Sequence, residues 1–176
     1  MINKIAGMFL TILAFQSIPT SALAEGLELG AGALTINTEG VSTTSGGLNL
    51  GYRVSDNLAL EFGAYTGGSE GDTDGNISAV IEIDSVITAR LKYGMALGDN
   101  ALGYISAGYT DVSLSINACA RSTCFADSDG LSGGTLGLGV DFKFNENWGG
   151  TVEYVRAFGD IEDTSVGVFS IKYFFN

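Results

Sequence analysis

The sequence has no histidine, one proline and two cysteines among its 176 residues. Without histidine, a Ser–His catalytic pair cannot be assembled. Two thiols with no imidazole are too few for a structural zinc site. The single proline, Pro19, leaves the rest of the chain free to donate every backbone N–H to long hydrogen-bonded ladders. Basic residues are also scarce, and the net charge is −12. That deficit excludes a basic patch for nucleic acid or anionic headgroups. Long apolar runs are missing too. The longest, from Ile5 to Phe15, falls short of the roughly 20 residues that a spanning helix requires.

That short run has another reading. Lys4 precedes it, Gln16-Ser17 and Pro19 follow, and Ala22-Leu23-Ala24 forms a small-x-small cleavage site. Residues 1–24 are therefore expected to be a secretory signal peptide rather than an uncleaved anchor. No cysteine follows the site, so no lipid anchor is expected. The remaining residues, 25–176, suffice for one domain. Removal of the signal takes away only Lys4, leaving seven basic against twenty acidic side chains.

What the chain does contain is alternation. From Ala79 to Leu97 every odd position except Ser85 is apolar, and the even positions include Glu82, Asp84, Thr88, Arg90 and Lys92. A period of two is a strand, with opposite faces greasy and charged. Nineteen residues exceed the usual strand of about 5–6. Lipid on one side and a polar interior on the other require this pattern. Three short connections, Ser55-Asp56-Asn57, Gly98-Asp99-Asn100 and Asn145-Glu146-Asn147, carry hairpin-turn residues. Longer polar segments at 37–45, 66–77, 117–131 and 158–164 alternate with them. The expectation is an all-β, eight-stranded antiparallel up-and-down transmembrane barrel. Its strands are placed at 26–36, 46–55, 57–66, 77–97, 101–116, 132–145, 148–158 and 164–175. In the fifth the phase is left open: Tyr104, Val112, Leu114 and Ile116 favour one face and Ile105 and Tyr109 the other, and a bulge near Gly108 could switch between them.

With the short turns in the periplasm, Tyr52, Tyr93, Phe144, Trp148, Tyr173 and Phe175 gather at one rim, as aromatic girdles do. Phe169, Ile171, Tyr173 and Phe175 alternate to the chain end. This resembles the C-terminal targeting strand of bacterial outer-membrane proteins, with Asn176 as a departure from its terminal aromatic. The chain from residue 25 resembles the small eight-stranded outer-membrane barrel family that includes OmpX and the membrane domain of OmpA, among the porin-family outer-membrane proteins. The resemblance implies integral residence in a Gram-negative outer membrane, and no peptidoglycan-binding domain is expected to follow. A soluble lipocalin-like barrel shares the alternation with its faces reversed. The signal peptide, terminal strand and one-sided aromatics disfavour it.

Inward positions are expected to hold Glu28, Arg53, Glu61, Glu82, Asp84, Arg90, Lys92, Asp141, Lys143, Glu153 and Lys172. An eight-stranded lumen is wide enough only for side chains, so these charges must pair. Glu82 and Asp84 are read as partners of Arg90 and Lys92, and Glu28 as meeting Lys172 across the closing seam. No nucleophile–base set is readable, so no enzyme, catalytic residue or cofactor is expected. Glu70, Asp72 and Asp74, echoed by Asp127 and Asp129, resemble half a calcium loop, but Ile81 stands where the bidentate Glu belongs. They remain weak metal candidates in otherwise acidic loops. Cys119 and Cys124 are expected to form a disulfide in this exported segment. The functional reading is an envelope scaffold presenting acidic loops, in a structural, adhesion or host-interaction role. The alternative is a narrow pore for ions or small solutes. Expected partners are outer-membrane lipid and lipopolysaccharide, the barrel-assembly machinery, and a host or surface ligand at the loops. No nucleic acid is expected, and the protein is read as a monomer.

Overall fold

A sheet placed in lipid cannot leave an edge unpaired, because bare N–H and C=O groups there cost several kcal/mol each. The computed structural model meets this demand by closure. It describes residues 26–38, 41–74, 77–120, 123–161 and 164–175, so the expected signal peptide lies outside the described residues. The strands are β1 (Leu27–Thr38), β2 (Val41–Arg53), β3 (Leu58–Thr66), β4 (Ser69–Asp74), β5 (Ile77–Ala96), β6 (Ala101–Ala120), β7 (Thr123–Lys143), β8 (Trp148–Gly159) and β9 (Thr164–Phe175). All pair antiparallel in one sheet, and β1 with β9 closes the ring from Leu27↔Phe175 to Thr38↔Thr164.

Nine strands make eight staves. β3 pairs with β5 from Leu58 to Tyr65, and β4 takes over the same edge from Ser69 to Asp74. Gly67 and Gly68 separate the two pieces with φ of 79° and 108°. Glycine enters that region without steric cost. Ile83 N–H donates to the Gly68 carbonyl at 2.8 Å, so the break remains tied to the wall.

The three short turns repeat one device. The carbonyls of Asn57, Asn100 and Asn147 each accept a backbone bond from the next stave, from Gly94, Lys143 and Phe174, all at 2.8 Å. Two of these asparagines bond the same neighbour again, Asn57 Nδ2 donating to Gly94 O and Asn147 Nδ2 to Phe174 O. The turns thus lace the periplasmic rim as well as reversing the chain.

The other end departs from the sequence expectation. Segments 66–77 and 117–131 are not open loops. β4 and β5 pair out to Asp74↔Ile77, and β6 and β7 pair out to Ala120↔Thr123. Above the membrane both faces of a ribbon meet water. Polar residues then occupy both faces, and the alternation that marks a strand disappears from the sequence. Cys119 lies directly opposite Cys124 near the tip of this ribbon, and the two are joined by a disulfide.

The structure decides one phase that the sequence leaves open and corrects another. On β6, Ile105 and Tyr109 face outward, while Tyr104, Val112 and Leu114 turn inward, without a register shift at Gly108. The bulge sits instead on β5. Ile83 pairs with Leu114 and Ser85 with Ser113, leaving Asp84 as the extra residue. Below it the even positions Val86, Thr88, Arg90 and Lys92 point inward; above it Ile83 does, and Glu82 and Asp84 are exposed.

The outer wall is apolar. Leu48, Ile105, Leu138, Val152 and Phe169 are all more than half exposed, while Glu61, Arg90, Lys92 and Lys172 are buried inside. That inverts a soluble barrel and fits lipid outside. At the periplasmic rim Trp148 packs edge-on against Tyr173, and Tyr173 against Phe175, with centroids 5.2 and 4.9 Å apart.

Two outcomes follow from this wall. Leu138→Arg, about midway up β7, lowers unfolding stability in lipid vesicles by about 2–4 kcal/mol, read by urea titration. Cys124→Ser leaves that stability nearly unchanged, because the ring it opens is short. It raises amide exchange only in the β6–β7 ribbon above Ser132.

Candidate functional site

The barrel interior is divided in two. In the periplasmic half, every stave sends at least one polar side chain to a common cluster. β1 supplies Glu28, β2 Arg53, β3 Glu61, β5 Arg90 and Lys92, β6 Ser106, β7 Asp141, β8 Glu153 and β9 Lys172. Glu61 is its hub. It accepts from Arg90 Nη2 at 2.5 Å, Lys92 Nζ at 2.7 Å and Lys172 Nζ at 2.8 Å. Arg90 Nη1 also reaches Glu153 at 2.7 Å, and the other oxygen of Glu153 accepts from Ser106 Oγ at 2.5 Å. Arg53 binds Glu28 at 2.7 Å and lies 3.7 Å from Asp141. Asp141 in turn accepts from Thr151 Oγ1 at 2.6 Å. Four acids face four bases, so the plug is electrically neutral.

Close packing permits this. A Cβ on Gly137 would stand 2.8 Å from Glu153 Oε1, and one on Gly108 2.7 Å from Arg90 Cγ. The glycines of β6 and β7 vacate the volume that the long charged side chains fill.

Of the eleven charges expected inside, eight meet here. Glu82 and Asp84 do not, because the β5 bulge turns them outward; Asp84 accepts from Ser115 Oγ at 2.6 Å instead. The partners of Arg90 are Glu61 and Glu153. Lys143 has inward parity but lies at the end of β7, exposed, with its ammonium 5.0 Å from the Phe174 ring centroid. Glu28 and Lys172 do approach, at 3.4 Å, yet Lys172 stands opposite Gly30 in register and lies closer to Glu61.

The acidic candidates for a metal are spread along ladders. Glu70, Asp72 and Asp74 lie on the extended backbone of β4, where a coordinating loop would have to wrap. Asp127 and Asp129 cap the N–H groups of Ser128 and Gly130. Among the described residues no group of three acid, thiol or imidazole side chains is disposed to hold a metal.

The extracellular half of the lumen is apolar, which the sequence reading did not foresee. Leu34, Ile83, Val86, Val112, Val155 and Val168 line a cavity of about 420 Å³. Their burial forms the core of the molecule, together with Tyr65. Arg90, Thr88 and Thr135 also line it. A signal was present: on β1 the inward positions change from Glu28 to Leu34 and Ile36, and on β9 from Lys172 to Val168 and Val166.

An apolar outer wall, an aromatic periplasmic rim and a lumen plugged by charged side chains in its periplasmic half define an integral β-barrel of the bacterial outer membrane. The chain belongs to the family of outer membrane protein beta-barrel domains, whose model matches residues 7–173. Solved structures agree in fold. The attachment invasion locus protein Ail of Yersinia pestis is 14% identical, covering 85% of this chain and 98% of that one, with a TM-score of 0.57. The N-terminal barrel domain of Pseudomonas aeruginosa OprF is 14% identical over 85% and 96% of the chains, at 0.58. The outer membrane protein W of E. coli is 17% identical over 86% and 98%, at 0.54. No curated protein matches the chain in sequence.

Glu61→Gln leaves three cations facing one neutral amide. Stability in vesicles falls by about 3–5 kcal/mol. Glu61→Gln combined with Lys172→Met loses less than the sum of the two single changes in a double-mutant cycle, because the pair is removed together.

Proposed function

We propose that this protein is a sealed outer-membrane scaffold that presents an acidic sheet to the exterior for contact with a basic partner surface. The observation that carries this is the β6–β7 ribbon. β7 pairs with β8 only from Gly133 downward, so from Thr123 to Ser132 it pairs with β6 alone among the described residues. Ten residues add roughly 30 Å of strand beyond the wall. A strand edge standing free in water is a template for strand addition. Exposed Asp111, Asp127 and Asp129 lie on the ribbon, and Glu82 and Asp84 flank it on β5.

Among the solved neighbours, Ail is described in complex with a heparin analogue, sucrose octasulfate. The acidic ribbon here repels a sulfated ligand, so that partner class is not carried over. The chain acts as a monomer, inserted by the barrel-assembly machinery among lipopolysaccharide, and does no catalysis. The pore alternative is opposed by the plug, whose side chains meet across the lumen at 2.5–2.8 Å.

Two measurements test the reading. In planar bilayers the purified protein gives no stepwise conductance; steps that vanish on filling the lumen would establish the pore instead. Non-adherent bacteria displaying the protein gain binding to a polylysine-coated surface. The variant with Asp111, Asp127 and Asp129 all changed to Asn loses most of that gain at equal surface display. Equal binding by both would remove the ribbon from the role.

A further inference from the structure

The apolar cavity above the plug is a chamber of ligand size, and its floor is incompletely satisfied. At about 420 Å³ it lies within the range of small-molecule pockets, roughly 300–1,000 Å³. Its wall is aliphatic from six different staves. Its lining includes Thr88, Arg90 and Thr135, each about nine-tenths buried or more. Thr88 Oγ1, Thr135 Oγ1 and Arg90 Nε have no hydrogen-bond partner. Buried donors are nearly always paired, and leaving one bare costs about 1–3 kcal/mol. Three such groups in one apolar chamber mark a place for a polar end. The rim reaches the surface through Thr38, Ile81 and Asp160, all exposed at the extracellular end.

From this geometry we propose that the chamber is a binding site for a small, neutral, linear aliphatic molecule carrying one terminal hydroxyl or carbonyl. The aliphatic body fills the space between Val86, Val112, Val155 and Val168. The polar end goes down, accepting from Arg90 Nε–H and exchanging hydrogen bonds with the Thr88 and Thr135 hydroxyls. The head is neutral because the charge below is already spent. The Arg90 guanidinium is held by Glu61 and Glu153 at 2.5 and 2.7 Å, inside a cluster of four acids and four bases. An anion would also approach past Asp160 and an exterior with a large acidic excess. The site is blind: Arg90 belongs both to the floor and to the plug, so the ligand enters and leaves by the extracellular mouth. The β6–β7 tip is not part of it, and the chamber stands or falls independently of the contact role above.

The test uses octan-1-ol, octane and octanoate, each titrated into the intact barrel in lipid nanodiscs, with empty nanodiscs to subtract membrane partition. Octan-1-ol is expected to show a saturable one-to-one component, weaker for octane and weakest for octanoate. Val86→Trp and, separately, Val155→Trp fill the chamber, and each is expected to lower octan-1-ol affinity about tenfold or more; unheated-gel mobility verifies that they fold. Changing Thr88 and Thr135 together to Val is expected to cut the preference for octan-1-ol over octane about fivefold while hydrocarbon binding persists. A Val112→Cys variant, with the native disulfide oxidised, reacts with N-ethylmaleimide added outside, and octan-1-ol slows that reaction. Non-saturable partition alone, undiminished binding by both folded tryptophan variants, or labelling indifferent to octan-1-ol would each overturn the proposal. Tighter binding of octanoate than of octan-1-ol would overturn the neutral head.

Discussion

Glu61 is the group on which the closed barrel turns. One carboxylate faces Arg90 and Lys92 from the adjoining stave and Lys172 from across the lumen. β3 and β9 are separated by β2 and β1 in the wall, about 14 Å along the sheet. The lumen is narrow enough that the direct path across it is shorter. An eight-stranded ring has this property and a wider one does not. The ion cluster is therefore a cross-brace. It holds opposite walls together, whereas the backbone ladder only joins each stave to the next. Removing charges singly is costly because the remaining ones have no water to turn to.

The division of the lumen follows from where water can be excluded. At the periplasmic end the long charged side chains fill the tube and saturate each other. Above Arg90 the inward residues are short and branched, Val86, Val112, Val155 and Val168, and side chains of that size leave the axis open. The boundary falls at Arg90 itself, whose two terminal nitrogens are committed below while its Nε is not. One residue thus closes the plug and floors the chamber.

Much of the wall could be read from the sequence, because its signals are local. Turn chemistry at Asn57, Asn100 and Asn147 fixed three reversals, and alternation fixed most faces. Eight of the expected lumen charges came together. What escaped was non-local. Val112 and Leu114 conflict in phase with Ile105 and Tyr109, and nothing in β6 alone says that its upper lumen is apolar. Glu82 and Asp84 share the parity of Arg90 and Lys92, and only the bulge breaks that phase. The ribbon reads as a loop because strands bathed on both faces carry no periodicity. Alternation points Lys172 to Glu28 on the adjacent strand, and only the bore of the tube reveals that Glu61 is nearer. One mark of the bulge was visible: Ser85 is the sole polar residue among the odd positions from Ala79 to Leu97, and it follows the inserted Asp84 directly.

That single inserted residue works like a frameshift in the wall. Below Asp84 the pattern is decoded with one face to lipid; above it the same alternation is decoded with the opposite face. The two segments of β5 are therefore free to diversify separately. Residues above the insertion answer to whatever lies outside the cell, those below answer to the bilayer, and a substitution in one segment leaves the grammar of the other intact. A deletion of Asp84 would make Ser85 follow Ile83 directly in regular alternation, removing the bulge while Ile83 still points into the chamber and Glu82 away from it.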